Sequence, residues 1–247
     1  MRALVFSLLM LVAPAAWATE CRQDRFDGVA FSICEVDLSR EDLRLFLRDE
    51  AGNILGNFSR VERSLAPGQR LGFAVNAGMF HDDRRPVGLY IEDGQQEMRV
   101  VTSDGPGNFG LLPNGVFCIQ QGRARVIESR AFAANPPACR YATQSGPMLV
   151  IDGALHPRFL PDSDSLNIRN GVGVDATGTR AIFAISDRAV NFDHFGRLFR
   201  DHLGTPNALY LDGRVSRLYA PDLGRDDFGF QLGPILGTVV DEAGKSR

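Results

Sequence analysis

The chain has 247 residues, a formal net charge of −3, 44% hydrophobic residues and 23% charged residues. That apolar content excludes disorder, and slight acidity without a basic run argues against a nucleic-acid partner. Lys245 is the sole lysine, which nearly excludes Schiff-base catalysis.

In chain order, the first feature is a targeting segment. Arg2 supplies a positive n-region, residues 3–13 an apolar h-region, and Ala16-Trp17-Ala18 an A-x-A cleavage site. Residues 1–18 are therefore expected to be a signal peptide, and residues 19–247 a single domain beginning at Thr19. No later stretch approaches the roughly 18–20 apolar residues of a membrane span, so no integral membrane segment is expected in the mature chain. The expected location is the periplasm or the exterior. An oxidising compartment gives the four cysteines a meaning. Of the three possible pairings, Cys21–Cys34 and Cys118–Cys139 are favoured because each closes a short local loop. No C-x-x-C or H-x-x-x-H spacing supports zinc, and neither a metal nor another cofactor is expected.

Loose alternation at 29–36 and short apolar runs at 71–75, 87–92, 148–151, 171–175, 181–185 and 209–211 predict strands, with Asp93-Gly94 as a hairpin turn. Residues 41–48 suit either a strand or a short helix. Residues 109–119 read as two strand pieces around Pro113-Asn114-Gly115. One helix stands out, with Asp193 as its cap and Phe195, Leu198, Phe199 and Leu203 at helical spacing. With 26 glycines and 13 prolines, the expected fold is α+β, with a largely β core of mixed sheet and few helices.

Asn76, Arg169, Asp175, Asp187 and Asp212 each fall at or near the end of an apolar segment, and all but Asp187 have a glycine within three positions. Converging strand ends are common places for a site, because glycine lets a ligand approach the backbone. Each of these residues singly also suits an ordinary turn. His81 follows the 73–80 segment directly and suits a pocket rim. Ser145 is followed by Gly146-Pro147 rather than set in G-x-S-x-G, so no serine triad is expected. The Asp162-Ser163-Asp164 run lacks calcium-loop spacing and reads as a solvated turn.

The segments F-A-V-N-A-G-M-F (73–80), Q-S-G-P-M-L-V (144–150), R-N-G-V-G-V-D (169–175) and N-A-L-Y-L-D-G (207–213), in that order, resemble the phosphodiester glycosidase family. The short exported bacterial members are the closer match, through P-V-G-L-Y (86–90), L-P-N-G-V-F (112–117) and F-A-I-S-D (183–187). The resemblance implies a hydrolase that cleaves the bond between a sugar anomeric carbon and a phosphodiester oxygen. It carries over Asn76, Gly78, Ser145, Gly146, Arg169, Asp175, Asp212 and Gly213 by matching motif positions. Ala77 replaces a family glycine, and Arg214-Val215 stand where other members have further glycines.

Such a reaction passes through an oxocarbenium-like state that a nearby carboxylate stabilises or attacks. The phosphate half needs a cation, which the planar fork of arginine suits. Asp212 or Asp175 is thus expected as the catalytic carboxylate and Arg169 as the phosphate clamp. Asn76, Gly78, Ser145, Gly146, Gly213, Asp187 and His81 are the expected substrate contacts. The partner implied is a glycan or sugar phosphodiester. The alternative is a catalytically silent carbohydrate-binding module on the same fold, suggested by Arg214-Val215 in the Asp212 loop.

Overall fold

The computed structural model describes residues 19–213 and 215–241. The expected signal segment, Arg214 and Lys245 lie outside the described residues. The alternating apolar runs form three sheets in which every pairing between strands is antiparallel.

The largest sheet has the order Glu20–Phe26, Val29–Asp37, Arg180–Ser186, Asn170–Val174, Asn207–Asp212, Met148–Ile151, Ala154–Leu155. A second sheet places Ile235–Asp241 between Gln69–Asn76 and Asp42–Phe46, with Leu218–Ala220 and Arg225–Asp226 on the other side. The third runs Gln95–Met98, Tyr90–Glu92, Tyr141–Ser145, Gly115–Gln120, Arg123–Glu128. Each sheet turns one face to a shared core. Phe73, Phe117 and Phe183 bring one ring from each sheet to its centre, with Phe183 5.0 Å from Phe73 and 6.1 Å from Phe117. Period-two alternation sends the intervening side chains outward, so each outer face needs its own cover.

A short helix supplies each cover. Phe195 and the following turn residues Leu198 and Phe199 pack on Phe31, Ile33 and Ala208 of the large sheet. Phe58 and Val61 of the Phe58–Ser64 helix cover Leu71, Ala74 and Ile235. Phe132 of the Ser129–Ala134 helix covers Val116 and Ala142. The α+β class is thus as the composition suggests, with all the connectivity that of one domain, but the sheets are antiparallel throughout rather than mixed. The cap of the predicted helix is Asn191 rather than Asp193: its side chain accepts from the His194 N–H at 2.9 Å, while Asp193 pairs with Arg197 at 3.0 Å. The first predicted strand piece in 109–119 is a set of turns, and pairing starts at Gly115.

Both expected disulfides are present. Cys21 and Cys34 face each other across the first hairpin, and Cys118 joins Cys139 at the far side of the loop that holds Asn135-Pro136-Pro137. Among the described residues no helix is long and apolar enough to cross a membrane, and no group of three or more His, Cys, Asp or Glu is placed to hold a metal.

Candidate active site

The Asn170–Val174 and Asn207–Asp212 strands run side by side with Asn170 opposite Asp212. The Gln69–Asn76 strand of the second sheet ends at the same place. Asn76 and Asn170 are fully buried and Asp212 is 8% exposed.

The Asn76 amide has a fixed orientation. Its Oδ1 accepts from the Arg217 backbone N–H at 2.9 Å and from Asn170 Nδ2 at 3.1 Å, and its backbone oxygen accepts from the same Nδ2 at 2.9 Å. With the oxygen committed to two donors, the NH2 end must point the other way. It faces Asp212 Oδ2 at 3.5 Å. The other carboxylate oxygen accepts from the Gly213 N–H at 2.6 Å. A buried network across two sheets thus holds one carboxylate at a strand end, with its chain turning away at Gly213.

Asp212 opens onto a cleft of about 720 Å³, a volume suited to a small ligand. Its polar lining includes Asn108, Asn167, Tyr210, Asp82, His81 and Arg84, and its apolar lining Met79, Phe80, Val87, Val215 and Phe230. Phe230 is 80% exposed at the rim. Burial pushes the Tyr210 phenol well above its ordinary pKa, with the Arg169 guanidinium opposing the shift, so Tyr210 presents a neutral hydroxyl.

The glycines at this end are there for space. A Cβ on Gly213 would lie 1.9 Å from the Tyr210 hydroxyl oxygen, and one on Gly78 would lie 2.4 Å from Thr143 Oγ1 and 2.5 Å from the Gln144 carbonyl oxygen. Gly146 is closed in by Asn114, whose Cβ would be 2.5 Å away. Ser145 is buried and donates to the Leu211 carbonyl at 2.9 Å, tying the third sheet to the strand that ends in Asp212. These residues shape and brace the site; of them only Gly213 lines the cleft. His81 is exposed and lines it, as expected of a rim residue.

Three of the expected site residues lie elsewhere. Asp175 follows the opposite end of the Asn170–Val174 strand, so about 15 Å of strand separates it from Asp212. There it accepts from Thr177 Oγ1 at 2.6 Å and from the Arg180 N–H at 3.0 Å, the pattern of a turn carboxylate. Asp187 lies near the correct end but faces Ser32 at 3.4 Å and Arg225 at 4.0 Å, away from the cleft lining.

Arg169 is fully buried and does not line the cleft. Its Nε donates to the Val190 carbonyl and its Nη2 to the Ser165 carbonyl, both at 2.8 Å. Its Cζ sits 3.5 Å above the Phe192 ring and 5.4 Å from that of Tyr210. Behind Phe192 the stack continues through Phe159 at 5.1 Å to the buried His156 at 4.8 Å from Phe159. Burial lowers the Arg169 pKa from its usual value, with Tyr210 opposing that shift. Its Nη1 is buried without a hydrogen-bond partner among the described residues, and the guanidinium packs against Phe192 and Tyr210 outside the cleft lining.

Sequence patterns alone single out neither Asn170 nor Gln144, although both lie in the quoted segments. Gln144 is the brace of the third sheet: its Oε1 accepts from the Leu89 and Val101 N–H groups at 3.0 and 2.9 Å, and its Nε2 donates to the Val101 carbonyl and Ser129. Asn108, Asn167, Tyr210, Arg84 and Phe230 come to the cleft from loops and from one strand, with no spacing that links them.

Residues 69–227 match the family model for phosphodiester glycosidase. YigE of Escherichia coli (strain K12), an uncharacterized protein, is 33% identical over 216 residues, which are 87% of this chain and 83% of that one. The fold is similar to the catalytic domain of zebrafish N-acetylglucosamine-1-phosphodiester alpha-N-acetylglucosaminidase auto-inhibited by its pro-peptide, with a TM-score of 0.63 and 16% identity, covering 92% of this chain and 85% of that one. A hypothetical protein from Synechocystis is similar at a TM-score of 0.55 and 15% identity, over 90% of this chain and 62% of its own.

Proposed function

The chain belongs to the phosphodiester glycosidase family, and on that premise we propose that it is a hydrolase acting on a sugar 1-phosphodiester, with Asp212 as its catalytic carboxylate. The carrying observation is the placement of Asp212: an almost buried carboxylate, oriented by Asn76 and the Gly213 N–H, at the inner end of a cleft of about 720 Å³.

Hydrolysis joins a water oxygen to the sugar C1 and breaks the bond from C1 to the phosphodiester oxygen. The bond's electrons leave with the phosphate monoester, and the proton lost by water is released to solvent or to that leaving group. Positive charge grows at C1 and the ring oxygen on the way, and the Asp212 carboxylate faces it. Phosphate leaves readily without a strong general acid. The neutral Tyr210 hydroxyl, Asn108 and Asn167 supply hydrogen bonds for sugar hydroxyls, while Phe80 and Phe230 offer flat apolar surface for a sugar face. Asn76 acts through Asp212 as a positioning residue.

Incubation of the purified protein with the methyl phosphodiester of N-acetylglucosamine 1-phosphate is expected to release free sugar. Saturable binding of that compound without release would instead mark a binding module on the same fold. We also place the protein outside the cytoplasm, on the support of its two disulfides and the signal-like residues 1–18. Intact mass of the protein secreted by a bacterial host is expected to begin at Thr19, and retention of Met1 is the contrary result.

A further inference from the structure

We infer that Arg84 is the side chain that recognises the phosphate of the substrate, an inference that rests on the hydrolytic reading above and names what holds the anionic half of the ligand.

The turn after the Asn76 segment is a short hairpin. Phe80 and Pro86 form a bridge, the His81 N–H donates to the Arg85 carbonyl at 2.9 Å, and the Arg84 N–H donates to the His81 carbonyl at 2.8 Å. This turn places Arg84 at φ +71°, in the left-handed region. Glycine is at ease there, and aspartate and asparagine tolerate it. The other non-glycine residues at positive φ among the described residues follow that rule: they are Asp27, Asp93 and Asp152. Arg84 is the exception, a long cationic side chain at a backbone position that a glycine fits better. Such an outlier is a reason to ask what the side chain does.

Its surroundings answer. Arg84 is the only arginine or lysine among the described residues that line the cleft. Its Cζ lies 5.6 Å from the centre of the Phe80 ring, which also lines the cleft, and its Nε is buried without a hydrogen-bond partner among the described residues. The adjacent Arg85 makes the contrast: exposed, it is held by Asp83 at 2.6 Å. No carboxylate among the described residues forms a salt bridge with Arg84. An arginine propped on an aromatic ring, with its fork uncommitted and in the same cleft as Asp212, suits the two non-bridging oxygens of a phosphodiester. It takes the part that the sequence pattern gives to Arg169, which is fully buried and does not line the cleft.

The strained backbone provides the test, because Arg84→Gly removes the cation and relaxes the turn at once. The thermal midpoint of Arg84→Gly is expected to equal or exceed that of the parent. Calorimetric titration with inorganic phosphate is expected to show ~10- to 100-fold weaker binding in the variant. Binding of free N-acetylglucosamine should be unchanged. KM for the methyl phosphodiester should rise by a similar factor, with a smaller effect on kcat, and Arg84→Lys should recover part of the loss. A stable Arg84→Gly protein with parental phosphate affinity and parental KM would overturn the assignment. If the parent releases no sugar, the hydrolytic reading fails by itself, and the phosphate titrations of parent and variant still decide the role of Arg84.

Discussion

Replacement of Asp212 by asparagine is expected to lower kcat for a sugar 1-phosphodiester by ~10²–10³ with little change in KM. Asparagine keeps the volume and one acceptor, so the 2.6 Å bond from the Gly213 N–H survives. The Asn76 NH2 then meets the new amide NH2 instead of a carboxylate oxygen, and because that contact is already long at 3.5 Å the two groups can part at small cost. What disappears is the negative charge that, in the proposed reaction, faces C1 as positive charge develops there. Because that charge matters more in the transition state than in the bound substrate, the loss appears in turnover rather than in binding. Asp175→Asn is the matched control. Its carboxylate serves the Thr177–Arg180 turn at the other end of the strand, so parental turnover is expected. Steady-state kinetics beside denaturation midpoints separates the outcomes. Full activity in Asp212→Asn with loss in Asp175→Asn would move the reacting centre to the other end of the sheet.

Arg169→Lys is expected to cost ~2–4 kcal/mol of stability in urea denaturation, a large fraction of a domain's margin. The ammonium cannot lie flat on Phe192 at 3.5 Å and reach the Val190 and Ser165 carbonyls together, each now 2.8 Å from a guanidinium nitrogen. At least one buried carbonyl is left unpaired and the planar contact is lost. Tyr210 leans on this guanidinium and lines the cleft, so kcat is expected to fall as the stack loosens, while phosphate affinity changes little. Unchanged stability combined with a large rise in KM would instead show that Arg169 reaches the substrate directly.

Short, nearly continuous apolar runs made the central strands legible: the 29–36, 148–151 and 181–185 runs are core strands because their side chains face apolar layers on both sides. Proximity in sequence was enough to pair the cysteines. The Leu218–Ala220 and Arg225–Asp226 strands were not legible, since strands of two and three residues leave no period to detect. The placement of Asp212 at a strand end could be read from Leu211-Asp212-Gly213. The same reasoning put Asp175 beside it, because a sequence shows that a carboxylate ends a strand but not which end of an antiparallel sheet it reaches. Only the register, Asn170 opposite Asp212 and Val174 opposite Asn207, separates the two. Arg169 is a related case. Its position in the motif is compatible with a side chain on either face, and the face is chosen by Phe192, an aromatic residue 23 positions later that the sequence offers only as part of a helix.

The position of the Ile235–Asp241 strand governs when the site can exist. It is the last strand of the described chain, yet it lies between Gln69–Asn76 and Asp42–Phe46, pairing along nearly its whole length with one and over five residues with the other. As the polypeptide is made, those two early strands have no central partner until synthesis has passed residue 241. Asn76, which orients Asp212, ends one of them, and its neighbour across the ladder is Ile235. Completion of the chain and assembly of the Asn76–Asp212 contact are therefore one event: a ribosome stalled short of residue 235 yields a protein whose first two hundred residues are present and whose Asn76 strand still lacks its central partner.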